Sequence, residues 1–252
     1  MSILGEAHEN LAYPRRISRL AGCIADLLPR NAQVLDVGCG DGLLAFEISK
    51  MRPDVQLTGI DVLVRSKTLI PVTHFDGTAI PHGNCSFDVV TFVDVLHHTV
   101  DPTILLREAA RVTRNTVIVK DHTRNGPFAG SRLRFMDWVG NARHGVVLPF
   151  NYWSRQEWRA ELQRLGLEIR SWRVDLGLYP WWANWIFGTS LQFVANLAPD
   201  NVSSSKERTK SSAGTRSATC SSGIPARTGL HNTLPRYAID VPQEPQKGKL
   251  ES

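Results

Sequence analysis

Apolar residues recur at helical spacing over residues 15–28, where Ile17, Leu20, Ala21, Ile24, Leu27 and Leu28 share one face and Pro29 ends the run. A short apolar segment, Gln33-Val34-Leu35-Asp36-Val37, follows and breaks off at Gly38, Gly40 and Gly42. That pattern predicts a strand entering a tight turn, with a helix next over residues 43–51. Residues 55–60 predict a second strand that ends in Asp61, and residues 70–75 a weaker third. The run Phe87-Asp-Val-Val-Thr-Phe-Val93 is apolar at both alternating sets of positions, as a parallel strand covered on both faces requires.

Asp101-Pro102 opens another helix, since Asp suits the N-cap and Pro the first turn. Residues 116–119 predict a fifth strand. Ser154-Arg-Gln-Glu157 is a capping box for a helix that runs to Leu165, where Gly166 can terminate it. Residues 167–174 and 190–197 read as two last strands. Strands alternating with helices predict an α/β fold: a doubly wound, Rossmann-like, seven-stranded sheet, mostly parallel, with an antiparallel last strand. After Pro199 the periodicity stops in a Ser/Thr-rich, basic segment without Trp or Phe, which predicts one domain over 1–198 and a disordered tail over 199–252.

Composition changes this picture in a few places. Hydrophobic residues at 42% and charged residues at 21% suit a chain with a real core. The formal net charge of +5 would suggest a nucleic-acid partner, but 201–252 holds eight Lys/Arg against four Asp/Glu and so carries +4 of it. The body is nearly neutral, and no nucleic acid is expected. Cys23, Cys39, Cys85 and Cys220 lie far apart, with no C-x-x-C pair and no His at metal-ligand spacing, so no metal is expected. The first residues lack the apolar core of a signal peptide, and a cytoplasmic location is expected. Residues 176–199 contain no charged residue, a length that could nominally span a bilayer, but Gly177, Pro180, Asn184, Gly188, Gln192 and Asn196 make them a poor membrane-spanning helix. Strands around an aromatic loop are expected there.

The chemistry concentrates in Asp36-Val-Gly38-Cys39-Gly40-Asp-Gly42. Glycines after a strand let a backbone approach a ligand, and a following helix offers free N–H groups. A dinucleotide fingerprint, G-x-G-x-x-G, has no acid two residues ahead of it. Asp36 occupies that position here and suits a cationic group instead of a pyrophosphate. Asp61 ends the second strand, where a carboxylate can hold a ribose diol.

With these residues the chain resembles the class I S-adenosylmethionine-dependent methyltransferases, in particular their ubiquinone/menaquinone-biosynthesis type. The resemblance covers residues 30–122 by motif and extends to 197 by order of elements. It implies that S-adenosyl-L-methionine is the cofactor. The Asp36, Gly38, Cys39 and Gly40 loop would then hold its amino-acid end, and Asp61, followed by Val62, its ribose. Phe75-Asp76-Gly77-Thr78 with Ile80-Pro81 is similar to the family segment whose acid meets the adenine amino group. Phe87 through Asp94-Val-Leu-His97-His98 is similar to the fourth-strand motif, so Asp94 would line the cofactor and acceptor pocket. No Asn/Asp-Pro-Pro-Tyr/Phe string and no Pro-Cys nucleophile is present, which again speaks against nucleic-acid methylation.

A sulfonium methyl is already activated, so positioning carries most of the reaction, and a base is needed only where the acceptor loses a proton. The candidates are His97, His98 and His122, the last directly after Asp121 at the end of the fifth strand. All seven tryptophans lie between 138 and 185. Trp158 and Trp172 read as core, whereas Trp181, Trp182 and Trp185 suit a pocket, a lid or a peripheral membrane contact. The expected reaction is O- or C-methylation of a small apolar or aromatic acceptor. Two alternatives stay open: a non-catalytic cofactor-binding subunit, and a membrane-surface enzyme for a lipid or quinone.

Overall fold

A computed structural model describes residues 13–126, 129–133, 151–178 and 191–200. The expected disordered tail and the Trp181, Trp182 and Trp185 loop lie outside them. The elements, in chain order, are α1 (Tyr13–Ala25), β1 (Gln33–Val37), α2 (Leu43–Met51), β2 (Gln56–Asp61), β3 (Val72–His74) and β4 (Phe87–Val93). A 3-10 turn (Leu96–His98), α3 (Pro102–Val112), β5 (Thr113–His122), α4 (Arg155–Arg164), β6 (Leu167–Arg173) and β7 (Gln192–Pro199) follow.

Among the described residues seven strands form one sheet, in the order β3-β2-β1-β4-β5-β7-β6. Strands β1 to β5 pair in parallel, and β7 runs antiparallel to both β5 and β6. The α/β class, the strand number and the antiparallel last strand are those expected from the sequence. Helix α1 buries Leu20, Ala21 and Ile24 against Val34, Val89, Ile118 and Val194 on one face of the sheet. The other face, Leu35, Val37, Val90, Phe92, Val117 and Val119, is covered by Leu105, Leu106 and Ala109 of α3 and by Trp158 and Leu162 of α4. Each such side chain contributes about 1.5–3 kcal/mol on full burial, so both layers are needed. Trp172 stacks on Phe193 at 3.9 Å, which makes Trp158 and Trp172 core residues as expected.

The caps hold as the sequence dictates. Asp101 accepts a 2.9 Å hydrogen bond from Thr103 N at the start of α3, and Ser154 and Glu157 form the reciprocal box at α4. Two strands differ from their sequence pattern. β3 has only three residues because its pairing with β2 is limited to Gly59, Ile60 and Asp61. β5 has ten residues where four were expected, since pairing with β4 and β7 carries the ladder through Lys120, Asp121 and His122. β7 runs through Pro199, opposite Leu167, and Asp200 N donates to Gly166 O, so ordered pairing reaches two residues past the expected boundary at 198. No helix among the described residues is long and apolar enough to cross a membrane.

Candidate functional site

The C-terminal ends of β1, β2, β4 and β5 meet at one edge of the sheet, on either side of the point where the strand order reverses. Open α/β sheets bind ligands at such an edge. A cavity of about 290 Å³ opens there, lined by Asp36, Gly38, Cys39, Gly40, Asp94 and, from α1, Arg16 with its neighbours Ile17 and Leu20. A larger cleft of about 530 Å³ at the opposite edge is bounded by Leu28, Arg30, Asn31, Arg52 and Asp54. Its guanidinium is already committed to Asp54 and to the carbonyls of Ala25, Leu28 and Pro29, so that cleft is a helix-end clasp.

The β1 loop is built for close approach. Gly38, Gly40 and Gly42 all have positive φ, and a Cβ on Gly38 would lie 2.6 Å from Val95 Cγ2. No side chain fits there. Asp36 is buried and accepts a 2.7 Å hydrogen bond from Thr91 Oγ1. Burial lifts its pKa to about 6, partly offset by Thr91 and aided by the nearby Asp61 charge. A buried carboxylate so poorly compensated is suited to a cationic ligand group. Burial also pushes the Cys39 thiol up to about 12, with Asp36 and Asp61 adding to it, so Cys39 offers backbone and bulk, not a thiolate.

Asp61 ends β2 and ties the loop to it: Oδ2 accepts from Gly40 N at 2.8 Å and Oδ1 from Leu63 N at 2.8 Å. Val62 follows, exposed, with Gly77 against it; a Cβ there would lie 3.1 Å from Val62 Cγ1. Asp76 Oδ1 accepts from Thr78 N and Ala79 N, both at 2.8 Å, and these bonds hold its pKa below the usual value. The structure therefore brings Asp36, Gly38, Cys39, Gly40 and Asp94 to one cavity; Asp61 does not line it but is bonded to the Gly40 N–H in its wall, and Gly77 lies against Val62, the residue after Asp61.

Beyond the cavity lies a buried polar cluster. Asp94, at φ 56, forms ion pairs with Lys120 Nζ and, at 3.0 Å, with Arg16 of α1. Burial alone would raise the Asp94 pKa, but Lys120, His122, Arg16 and His97 outweigh it and hold the carboxyl well below the ordinary range. Asp121 Oδ1 lies 2.5 Å from His97 Nδ1, and its Oδ2 accepts from Leu96 N at 3.0 Å. Burial works against its ionisation too, but His97 beside it and the bond donated by the His122 backbone N–H hold the Asp121 carboxyl well below the ordinary range. His122 is buried; burial first and Lys120 second lower its pKa, so it is neutral near pH 7. Its Nδ1 lies 3.4 Å from Asp94 Oδ1 and makes no hydrogen bond among the described residues. Its carbonyl accepts from Trp158 Nε1 at 3.2 Å, which fixes the strand end.

The rings of His97 and His98 are 3.9 Å apart, those of His97 and His122 4.9 Å, and Tyr152 stacks on His97 at 5.4 Å. All three histidines of the sequence reading thus converge. Arg16, Lys120 and Tyr152 join them without having been singled out in the sequence, and Asp121, noted there only as the neighbour of His122, joins them as the partner of His97. An Asp-His pair after an apolar strand was the available signal for Asp121; the others come from distant segments with none. Asp94, His97, Asp121 and His122 present ligand-type atoms within 4.8 Å of one another, although no spacing in the chain announces such a set.

A family profile described as a methyltransferase domain matches residues 6–171. The chain belongs to that family. Its curated relatives include the 27-O-demethylrifamycin SV methyltransferase of Amycolatopsis mediterranei (strain S699), 30% identical over 180 residues, covering 65% of this chain and 64% of the relative. A ubiquinone biosynthesis O-methyltransferase of Proteus mirabilis (strain HI4320) is 33% identical over 94 residues, covering 32% of this chain and 38% of the relative. The chain thus spans less than two thirds of either relative's length. Among solved structures, a SAM-dependent methyltransferase from Aquifex aeolicus superposes with a TM-score of 0.52 at 16% identity, over 77% of this chain and 98% of its own. That likeness is one of fold.

Membership in the methyltransferase family makes S-adenosylmethionine the cofactor, and the residues present fit it. The under-compensated Asp36 carboxylate suits its cationic amino-acid end, and at Gly40 a Cβ would meet nothing within 4 Å, so the loop backbone there faces open space. Asp61 stands at the end of β2 with carboxylate oxygens that can accept from hydroxyls.

Proposed function

We propose that this chain transfers a methyl group from S-adenosylmethionine to an oxygen of a small, largely apolar or aromatic acceptor, with His97 as the base that takes the acceptor proton. The observation that carries this reading is the buried His97–Asp121 pair, 2.5 Å apart, beside the cofactor cavity. The names of the two curated relatives, each methylating an oxygen, support the choice of O over C. When bound, the cofactor supplies a sulfonium methyl that an oxygen lone pair can accept. Asp121, bonded at Nδ1, orients the His97 ring and stabilises it when it takes up a proton. The acceptor O–H proton would pass to the His97 ring as the O–C bond forms and the sulfonium C–S bond breaks, leaving the cofactor sulfur as a neutral thioether. Both members of the pair are buried, with Tyr152 stacked on the His97 ring, and the exclusion of water strengthens the charge interactions inside. Neutral His122 is the second candidate base, and His98, half-buried beside His97, lies next to both.

The test uses methyl-labelled S-adenosylmethionine and a panel of phenols and hydroxylated polyketides. Labelled methyl ether is expected, with His97→Gln lowering kcat about 10²–10⁴-fold while S-adenosylhomocysteine affinity stays within a few-fold. Cofactor binding without product from any acceptor would favour a non-catalytic subunit of the same fold.

A further inference from the structure

Lys120 is fully buried near the end of β5, and lysine almost never is unless its charge has a partner. Along the strand it has the parity of Ile118, which packs under α1, so its stem lies on the α1 side of the sheet. Its ammonium bonds to Asp94 Oδ1, one of the four groups whose nitrogens and oxygens gather within 4.8 Å. Asp94, His97, Asp121 and His122 form a mixed carboxylate-imidazole set of the kind that takes Mn²⁺ or Zn²⁺. Of its two carboxylates, Asp94 is paired with Lys120 and Arg16, and Asp121 with His97.

We propose that the Lys120 ammonium is the resident cation of this cluster, taking the place of a divalent ion and excluding one. Three features support it. The ammonium already occupies the Asp94 oxygen that lies 3.4 Å from His122 Nδ1, so an ion bridging those two atoms would meet a like charge in a buried setting. Asp94 Oδ2 is paired with Arg16, which leaves that carboxylate no oxygen without a cationic partner. His122 Nδ1, buried and without a hydrogen bond among the described residues, is the atom expected to turn to a metal once the ammonium is gone. Lys120 is in this view a positioning residue. Its carbonyl accepts from Asp94 N at 2.9 Å, and its ammonium helps to lower the pKa of His122.

The experiment is a Mn²⁺ titration followed by electron paramagnetic resonance, with thermal melting in parallel, on the full chain and on Lys120→Ala. The wild type is expected to leave the free Mn²⁺ signal undiminished at the cluster and to melt at the same temperature with or without the ion. Lys120→Ala is expected to bind one Mn²⁺ per chain at least tenfold more tightly and to melt higher in its presence. Adding Asp94→Asn to Lys120→Ala should abolish that gain. Wild-type binding of one Mn²⁺ that Asp94→Asn removes would overturn the proposal, as would a folded Lys120→Ala that binds none. If Lys120→Ala does not fold, the wild-type titration with its Asp94→Asn control decides the matter alone.

Discussion

Thr91 on β4 and Asp36 on β1 sit opposite each other in the parallel ladder, and the Thr91 hydroxyl donates a 2.7 Å bond to the Asp36 carboxylate in the interior of the sheet. That one bond is the main compensation for a charge that burial makes costly, and it leaves the Asp36 pKa raised to about 6. A raised carboxyl pKa means the folded state binds the extra proton, so stability is lost as pH rises from about 4 to 6. At pH 7 Asp36→Asn should therefore stabilise the cofactor-free protein by on the order of 2 kcal/mol. Thermal melts across that window check it. A melting temperature unchanged by the substitution would show that the charge is compensated elsewhere.

The same charge makes cofactor affinity pH-dependent. A cationic ligand favours ionised Asp36, so affinity should fall about tenfold per pH unit below 6. Calorimetry at several pH values should show this fall in the wild type and a flat profile in Asp36→Asn. Equal wild-type affinity at pH 5 and 7 would mean that the cofactor's positive groups bind away from Asp36.

Gly38 combines a φ of 72 with a Cβ position 2.6 Å from Val95 Cγ2. Gly38→Ala should cost about 1–3 kcal/mol from the backbone strain and overpacking together. The double variant with Val95→Ala should recover only the steric share, since the left-handed backbone remains. Chemical denaturation of the three variants separates the two contributions.

Arg16 links α1 to the site through its 3.0 Å pair with Asp94 Oδ2. Arg16 and Leu20 of that helix also line the cofactor cavity. Arg16→Ala should speed cofactor dissociation several-fold with little loss of global stability, because a half-buried pair contributes on the order of 1 kcal/mol. Stopped-flow displacement at low and high salt tests this, and high salt should move the wild type toward the variant.

Asp94 and Asp121 have pKa values held below the unfolded range by their cationic neighbours. Their stabilisation is present above about pH 4, the unfolded Asp value, and disappears as pH falls further. Asp121→Asn should thus flatten the acid limb of the stability curve. Urea titrations from neutral pH down to pH 3 measure it, and an unaltered acid limb in the variant would refute the assignment.

Much of the cofactor side was legible in the sequence because it is local. Asp36 to Gly42 is one continuous turn, and Asp61 and Asp76-Gly77 each end or follow a strand, so chain order alone brings them to one edge of the sheet. The base cluster was legible only in part. His97, His98 and His122 stood out as titratable residues at strand ends, but Lys120, just past the apolar run that predicted β5, and Arg16, on an amphipathic helix, read as ordinary surface charges. Residues 113–115 and 120–122 fell outside the apolar pattern that predicted β5, and cross-strand bonds to β4 and β7 draw them in.

Alternating apolar runs, caps and the glycine turn were enough by themselves to determine the α/β class, the order of elements and the glycine loop after β1, since each depends on neighbours within a few residues. Only the tertiary structure decided which charges face one another. Arg16, Asp94, Lys120, Asp121 and His122 come from a helix and two strand ends, and their ionisation follows from mutual distance and burial. A sequence encodes those quantities only through the whole packed sheet. The pairing of Asp94 with a buried lysine, and of Asp121 with His97, is a product of the β4–β5 register under α1 and α4.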